Sequence, residues 1–285
     1  MPARRPSPNA FTNASFTTSY TVCIDLAVCT DVIFAATDSW SYENSWTVSA
    51  GGSVVSSGDG VGGDVNKEFD SDGTSYYDQV FLQKANLWKF SDAIKEFFLN
   101  PSLGKMLCEL ADTDGMRIWH DQTLQKKPWA NPTGWHLDNP YWSFHSLNAI
   151  SIWIALDDAT FQNGCLYYMR GSHKMAKFDN VMIDENIGGL FEVYPEFNDC
   201  EVVTGEMKAG SCGFHNGITA HAAGANMTSN WRRAMTCAYV PQGSIFNGQQ
   251  NFLTKEQFEK LTVGQVLNDD DLNPLVWSKS MATAK

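Results

Sequence analysis

Of the six histidines in this 285-residue chain, one is followed two positions later by a carboxylate, in Trp135-His136-Leu137-Asp138. On an extended strand, residues i and i+2 project to the same face, so His136 and Asp138 can turn into one cavity. The pair alone says little, because a chance HxD or a surface strand gives the same letters. A second element stands 83 residues on (221 − 138): Ile218-Thr219-Ala220-His221-Ala222-Ala223-Gly224-Ala225-Asn226, with Arg232 another 11 residues along (232 − 221). Two imidazoles and one carboxylate bind a non-haem Fe(II) on one side and leave adjacent coordination positions for substrate and O2. An arginine supplies the planar fork that suits a carboxylate brought to such a metal. Arg232 and Arg233 are neighbours and face opposite sides of a strand, so one of the two can enter the cavity.

Residues so far apart need a β scaffold to meet. From residue 116 to 240 short apolar runs at 150–156, 165–169 and 233–240 are separated by turns rich in Gly, Asn and Asp. That spacing predicts a sandwich or barrel of antiparallel strands. Before it the period is helical. Ser91 can cap a helix with Ile94, Phe97 and Phe98 on one face, and Asn100-Pro101 supplies a new cap with proline at the first helical position. Leu103, Met106, Leu107 and Leu110 then form an apolar stripe, which predicts two helices packed on a sheet. Thr254 and Gln257 make a capping-box pattern before Phe258 and Leu261, so a last short helix is expected.

Composition excludes several function classes. Twenty basic against 32 acidic side chains give a net charge of −12, which leaves no attraction for a phosphate backbone. The apolar stretch at residues 20–36 is broken by Asp25 and Asp31, so it is no membrane span. Arg4 and Arg5 are not followed by the apolar core of a secretory signal. Seven cysteines, odd in number and without CxxC spacing, read as reduced thiols. An intracellular, cytoplasmic protein that engages neither nucleic acid nor membrane is therefore expected. Residues 1–73 are rich in Ser, Thr, Gly and Asp, with permitted strands at 19–36 and 45–55. Seven glycines fall within residues 51–73, and the GxGxxG at Gly58, Gly60 and Gly63 lacks the preceding strand and following helix that a phosphate-binding turn needs.

Five segments resemble the phytanoyl-CoA dioxygenase family of Fe(II)- and 2-oxoglutarate-dependent oxygenases, in that family's order. They are His120-Asp121-Gln122-Thr123-Leu124-Gln125-Lys126-Lys127-Pro128, the HxD strand Gly134 to Trp142, Trp153 to Asp158 with Asn163 to Leu166, the Arg170-Gly171-Ser172-His173-Lys174 turn, and the block from His221 to Arg232. The resemblance covers about two thirds of the chain, from Tyr76 to Leu261. It implies a mainly β fold with flanking helices, a double-stranded β-helix of jelly-roll or cupin-like type, over residues 74–285. Residues 1–73 form a divergent, loop-rich segment before it.

By that resemblance His136, Asp138 and His221 are the iron ligands and Arg232, rather than Arg233, binds the distal carboxylate of 2-oxoglutarate. Lys84, Trp153 and Thr123 fall at positions that meet the co-substrate, Thr123 with a different residue type from the family's, and Ala223 replaces a frequent serine. The implied reaction uses O2 and 2-oxoglutarate and releases succinate and CO2 as a C–H bond of a small molecule is hydroxylated. Retention of Asp138 favours hydroxylation over halogenation, because halogenating relatives carry a small residue there. His215 and His173 read as loop or turn histidines, and Trp142, Phe144 and Trp153 have core packing as a rival role. A basic patch of Lys126, Lys127, Arg170, Lys174 and Lys177 could meet a CoA phosphate, although the net charge argues against it. Residues 177–198 could lie over the pocket as a lid. Two other classes share the ligand set: a non-catalytic jelly-roll binding protein, and a Zn(II) hydrolase or isomerase. A carboxylate clamp at Arg232 and Lys84 favours the oxygenase, and the oligomeric state is not legible.

Overall fold

The computed structural model describes residues 45–50, 53–59, 76–179 and 181–283. The chain divides into two compact units, Met1–Gly62 and Gly63–Lys285. In the first, β1 (Ser45–Ala50) pairs antiparallel with β2 (Ser53–Asp59), with an irregularity between Val48 and Ser49. The strand expected over residues 45–55 is thus a hairpin, and Gly58 lies in β2. Residues 19–36, Gly60 and Gly63 lie outside the described residues.

The second unit begins with β3 (Leu82–Ala85), α1 (Asp92–Phe98) and α2 (Pro101–Ala111). Both helix starts form as the sequence predicts. Ser91 Oγ accepts from Ile94 N, and Asn100 Oδ1 accepts from Ser102 N with Pro101 opening the helix. There follow β4 (Gly115–Lys126), β5 (Thr133–His136), β6 (Ile150–Ala155), β7 (Leu166–Met169), α3 (Leu190–Val193), β8 (Val202–Gly205), β9 (Cys212–Asn216), β10 (His221–Ala223) and β11 (Arg232–Pro241). The chain closes through α4 (Lys255–Lys260), which carries the predicted capping box, β12 (Leu275–Ser278) and α5 (Lys279–Thr283).

Two antiparallel sheets result. The larger runs β12-β4-β11-β6-β9, with β3 also on β4, and the smaller runs β5-β10-β7-β8. Successive strands from β4 to β11 alternate between the sheets singly or in pairs, which is the winding of a double-stranded β-helix. The sheets face each other through Trp153, Ala155 and Ala234 on one side and Leu166 and Ala223 on the other, all buried. No helix among the described residues is long and apolar enough to cross a membrane.

Strand alternation divides the larger sheet into two faces. Outward go Ile152, Met235, Cys237 and Tyr239, which pack under α1 and α2 against Phe98, Leu107 and Cys108. Inward go cross-strand rows that line the barrel. One reads His215, Ser151, Ala238, His120, and the next reads Gly213, Trp153, Thr236, Gln122. The inner face of central β11 thus carries small side chains, Ala234, Thr236 and Ala238.

The helix stripe is rotated from the sequence expectation. Phe97, Met106 and Leu110 are exposed, whereas Gly104, Leu107 and Cys108 form the buried face. The cause is close approach of α2 to β12: a Cβ on Gly104 would sit 2.7 Å from Trp277 Cβ and 2.8 Å from Val276 Cγ1. Gly104→Ala should therefore destabilise by about 1–3 kcal/mol, overriding the roughly 1 kcal/mol that alanine gains in helix propensity. A urea midpoint at or above wild type would contradict this contact.

Residues 177–198, expected as a lid, are largely pinned outside the smaller sheet. Leu190, Tyr194 and Phe197 are buried against Leu137 and Met169, and Trp135 N donates to Ile187 O at 3.0 Å.

Candidate metal centre

His136 ends β5 and His221 begins β10, and the two are paired across the smaller sheet. Their side chains therefore project from adjacent strands to the same inner face, with ring centroids 4.2 Å apart. Each Nδ1 meets a carbonyl two residues back: His136 with Gly134 O at 2.8 Å and His221 with Thr219 O at 2.9 Å. A carbonyl only accepts, so each Nδ1 carries the proton and each Nε2 keeps a bare lone pair. Burial, then the neighbouring His136, pushes His221 down to about 3, so its ring is neutral and ready to ligate.

Asp138 is not on the strand. β5 stops at His136, and Asp138 opens a single 3-10 turn, Asn139–Tyr141. Asn139, fully buried, anchors that turn: its N donates to Gly217 O at 2.8 Å, its Nδ2 to Phe144 O at 3.1 Å, and its Oδ1 accepts from Ser146 N at 2.8 Å. The HxD pair thus works through a strand exit rather than through alternation alone. Asp138 Oδ1 lies 3.6 Å from Nε2 of both His136 and His221, and the three donor atoms lie within 4.8 Å of one another. Donors at roughly 2.1 Å from one divalent ion and at right angles sit about 3 Å apart, so a small closure would complete the site. Burial raises the Asp138 carboxyl, but the polar field of the surrounding histidines, His221 first and then His136 and His215, outweighs it and holds the group well below the usual carboxylate range.

Arg232 begins β11 on the inner face and is 2% exposed, while Arg233 turns out and binds Asp157 through Nε and Nη2 at 2.8 and 2.7 Å. The Arg232 guanidinium lies 5.4 Å over the Trp153 ring, and its Nη1 donates to Leu124 O at 3.1 Å. No carboxylate among the described residues pairs with it. Burial pushes it down to about 10. Arg232 Nε, Trp153 Nε1 and Tyr168 OH are buried without a hydrogen-bond partner. Trp153 stands two residues along β6 from Ser151, whose hydroxyl reaches Asp138 Oδ2 at 3.4 Å. Trp153, in the same cross-strand row as Thr236, thus stands between Arg232 at the start of β11 and the Ser151 row that reaches the triad.

The other expected co-substrate residues are not brought here. Lys84 pairs with Thr123 across β3 and β4, and Thr123 pairs with Met235. That register places both on the outward face, opposite to Arg232, and Thr123 Oγ1 accepts from Lys84 N at 3.1 Å. The residue that does stand beside Arg232 is Lys126, directly opposite it across β11 and β4 and fully buried. Its Nζ donates to Asn131 O at 2.6 Å and Val80 O at 3.3 Å. Ala223 is buried on the inner face, paired with Thr133.

Of the remaining histidines, His173 and His145 are exposed. His120 is buried on the inner face, stacked on Phe252 at 3.7 Å, and burial pushes it down to about 3. His215 is not in a loop: it lies on β9, buried, with Nε2 3.2 Å from Asp138 Oδ2. Its strand signal was the alternation Cys212, Phe214, Asn216 against Gly213 and His215, too short to stand out. Trp142 and Phe144 take the core role, packed with Trp119 and Val240.

A family model described as phytanoyl-CoA dioxygenase (PhyH) matches residues 63–234, more than half of the chain. The phytanoyl-CoA dioxygenase of Arabidopsis thaliana is 28% identical over 120 residues, 42% of each chain. A probable phytanoyl-CoA dioxygenase of Caenorhabditis elegans is 31% identical over 114 residues, 37% of this chain and 35% of that one. The matched region spans about two fifths of the length of these curated relatives. Among solved structures, the non-heme alpha-ketoglutarate-dependent carbocyclase SnoK from nogalamycin biosynthesis superposes with TM-score 0.59 at 25% identity, covering 69% of this chain and 76% of that one. The epimerase SnoN, in complex with Fe3+, alpha-ketoglutarate and nogalamycin RO, gives TM-score 0.57 at 22% identity over 82% and 84%, a likeness of fold.

Proposed function

Because the chain belongs to the phytanoyl-CoA dioxygenase family, we propose that it is an Fe(II)- and 2-oxoglutarate-dependent oxygenase whose catalytic unit, residues 74–285, hydroxylates an aliphatic C–H bond of a small organic molecule. The observation that carries this reading is the buried Arg232, without an acidic partner among the described residues, turned to the same barrel interior as the His136, Asp138, His221 cluster. A buried guanidinium left unpaired is costly unless an anion joins it. Neither a zinc hydrolase nor an inert binding protein needs such a group in that interior.

His136, Asp138 and His221 would hold the iron, which when bound supplies the coupling of O2 reduction to oxidative decarboxylation of 2-oxoglutarate. Arg232 takes the distal carboxylate of the co-substrate as a charge-assisted pair, with the Trp153 face below the guanidinium. Trp153 Nε1 and Tyr168 OH are donors left for the same ligand. The apolar layer of Trp153, Ala155, Leu166 and Ala234 beside it keeps water from the pair. Asp138 occupies the position that a halide needs, which supports hydroxylation. A substrate without CoA is favoured by the burial of Lys126 and the pairing of Arg170 with Glu201 at 3.3 Å, which leave less of the expected basic patch free for phosphate.

Metal-free protein loaded anaerobically with Fe(II) should bind 2-oxoglutarate and, on admission of air, convert it slowly to succinate without any further substrate. Absence of binding, or binding unchanged in His136→Ala and Arg232→Ala, would overturn the reading.

A further inference from the structure

The two oxygens of Asp138 are not equivalent. Oδ1 faces both imidazoles, at 3.6 Å from each Nε2. Oδ2 faces the other way, toward the larger sheet, where His215 Nε2 stands at 3.2 Å and Ser151 Oγ at 3.4 Å. His215 and Ser151 are directly paired on β9 and β6, so their side chains leave the sheet together and converge on one atom. The ligands come from the smaller sheet and its exit turn, the grip from the larger sheet opposite.

We propose that His215 is a positioning residue that holds Asp138 Oδ2 out of the metal's coordination sphere, so that the carboxylate binds through Oδ1 alone. The inference rests on the oxygenase reading and adds to it a role for a residue outside the ligand set. A free carboxylate can bind a divalent ion through one oxygen or through both. Binding through both would consume one of the three positions that a bidentate co-substrate and O2 require. An N–H donated to Oδ2 removes that option at the cost of one hydrogen bond.

The hydrogen-bond pattern agrees with the geometry. An ionised carboxylate only accepts, so His215 must donate through Nε2–H. The other ring nitrogen, Nδ1, is buried with no hydrogen-bond partner, so Asp138 is the ring's one polar anchor. The ring is held laterally by Tyr168 and His221, with centroids 5.5 and 4.7 Å away. His215 is not itself a fourth ligand of the cluster, since the convergent donor set is His136, Asp138 and His221.

The test uses Co(II) as the metal probe, titrated into metal-free full-length protein and followed by visible absorption, with 2-oxoglutarate binding then measured at saturating Co(II). His215→Phe keeps a ring of similar shape and removes the donor. It should weaken Co(II) about 10–100-fold, the range for losing a group that orients a ligand, and weaken 2-oxoglutarate about tenfold at saturating metal because Asp138 now takes a second position. His215→Gln, whose amide N–H can reach Oδ2, should restore both to near wild type, while the thermal midpoint of the metal-free variants stays unchanged. Should His215→Phe not fold, His215→Asn, too short to reach Oδ2, carries the same comparison. Wild-type affinities in the Phe or Asn variant would overturn the role of His215 while leaving the oxygenase reading intact. A wild-type chain that takes up no Co(II) would overturn both.

Discussion

Asp138→Ala should abolish conversion of 2-oxoglutarate to succinate, and the metal content of the purified variant should fall with it. The loss is expected to exceed the 10–100-fold typical of removing a group that merely supports a ligand, because Asp138 is the single carboxylate among three donors. Two neutral imidazoles alone leave the ion's charge uncompensated in a buried site. The fold should survive, and this makes the experiment clean. The turn that carries Asp138 is held by Asn139, through Gly217 O, Phe144 O and Ser146 N, and these bonds remain when the contacts of Asp138 Oδ2 with His215 and Ser151 are lost. Metal analysis and succinate measurement, alongside circular dichroism, separate loss of the centre from loss of the fold. Retained succinate formation would remove Asp138 from the ligand set.

That prediction was legible in the sequence because chemistry restricts residue type: few arrangements of His, Asp and Arg suit an iron and a dicarboxylate. The strands that carry them were legible where compact apolar runs stand between turns, as in β6, β7 and β11. What the letters could not supply was the parity of each strand. Lys84 and Thr123 were placed at the co-substrate by likeness of position, yet a strand shows alternate residues to opposite faces, and a single step decides which. The register across β3, β4 and β11 puts them outside and Lys126 inside. His215 was hidden for a related reason. Its partner Asp138 is 77 residues away, and only the pairing of β9 with β6 brings the ring back to it. On α2 the period was right but its phase was not, since the contact is centred on Gly104, a residue with no side chain to register in an apolar pattern.

The inner row at the end of β11 leads to a second large effect, with opposite signs on stability and binding. Arg232 and Lys126 stand opposite each other, both buried, with no acid beside them among the described residues. Burial and the charge of Arg232 push Lys126 down to about 6, and burial pushes Arg232 down to about 10. Arg232 is therefore a charge held in the fold at a cost, which an arriving dicarboxylate relieves, while Lys126 is largely neutral near pH 7. Arg232→Met keeps the volume and removes one charge. Without co-substrate the variant should therefore be more stable than wild type, by about 1–2 kcal/mol if it follows other buried charges replaced by apolar side chains. In a chain of this size that is a rise of roughly 2–8 °C in thermal midpoint. Its affinity for 2-oxoglutarate should fall about 30-fold or more, since losing one partner of a buried charged pair costs roughly 2–5 kcal/mol. Saturating 2-oxoglutarate at 100 times its Kd stabilises the wild-type protein by about 2.7 kcal/mol and should do almost nothing for the variant. The order of the two midpoints should then reverse when the co-substrate is added. A variant destabilised without 2-oxoglutarate, yet still stabilised by it, would mean that Arg232 serves the fold rather than the ligand.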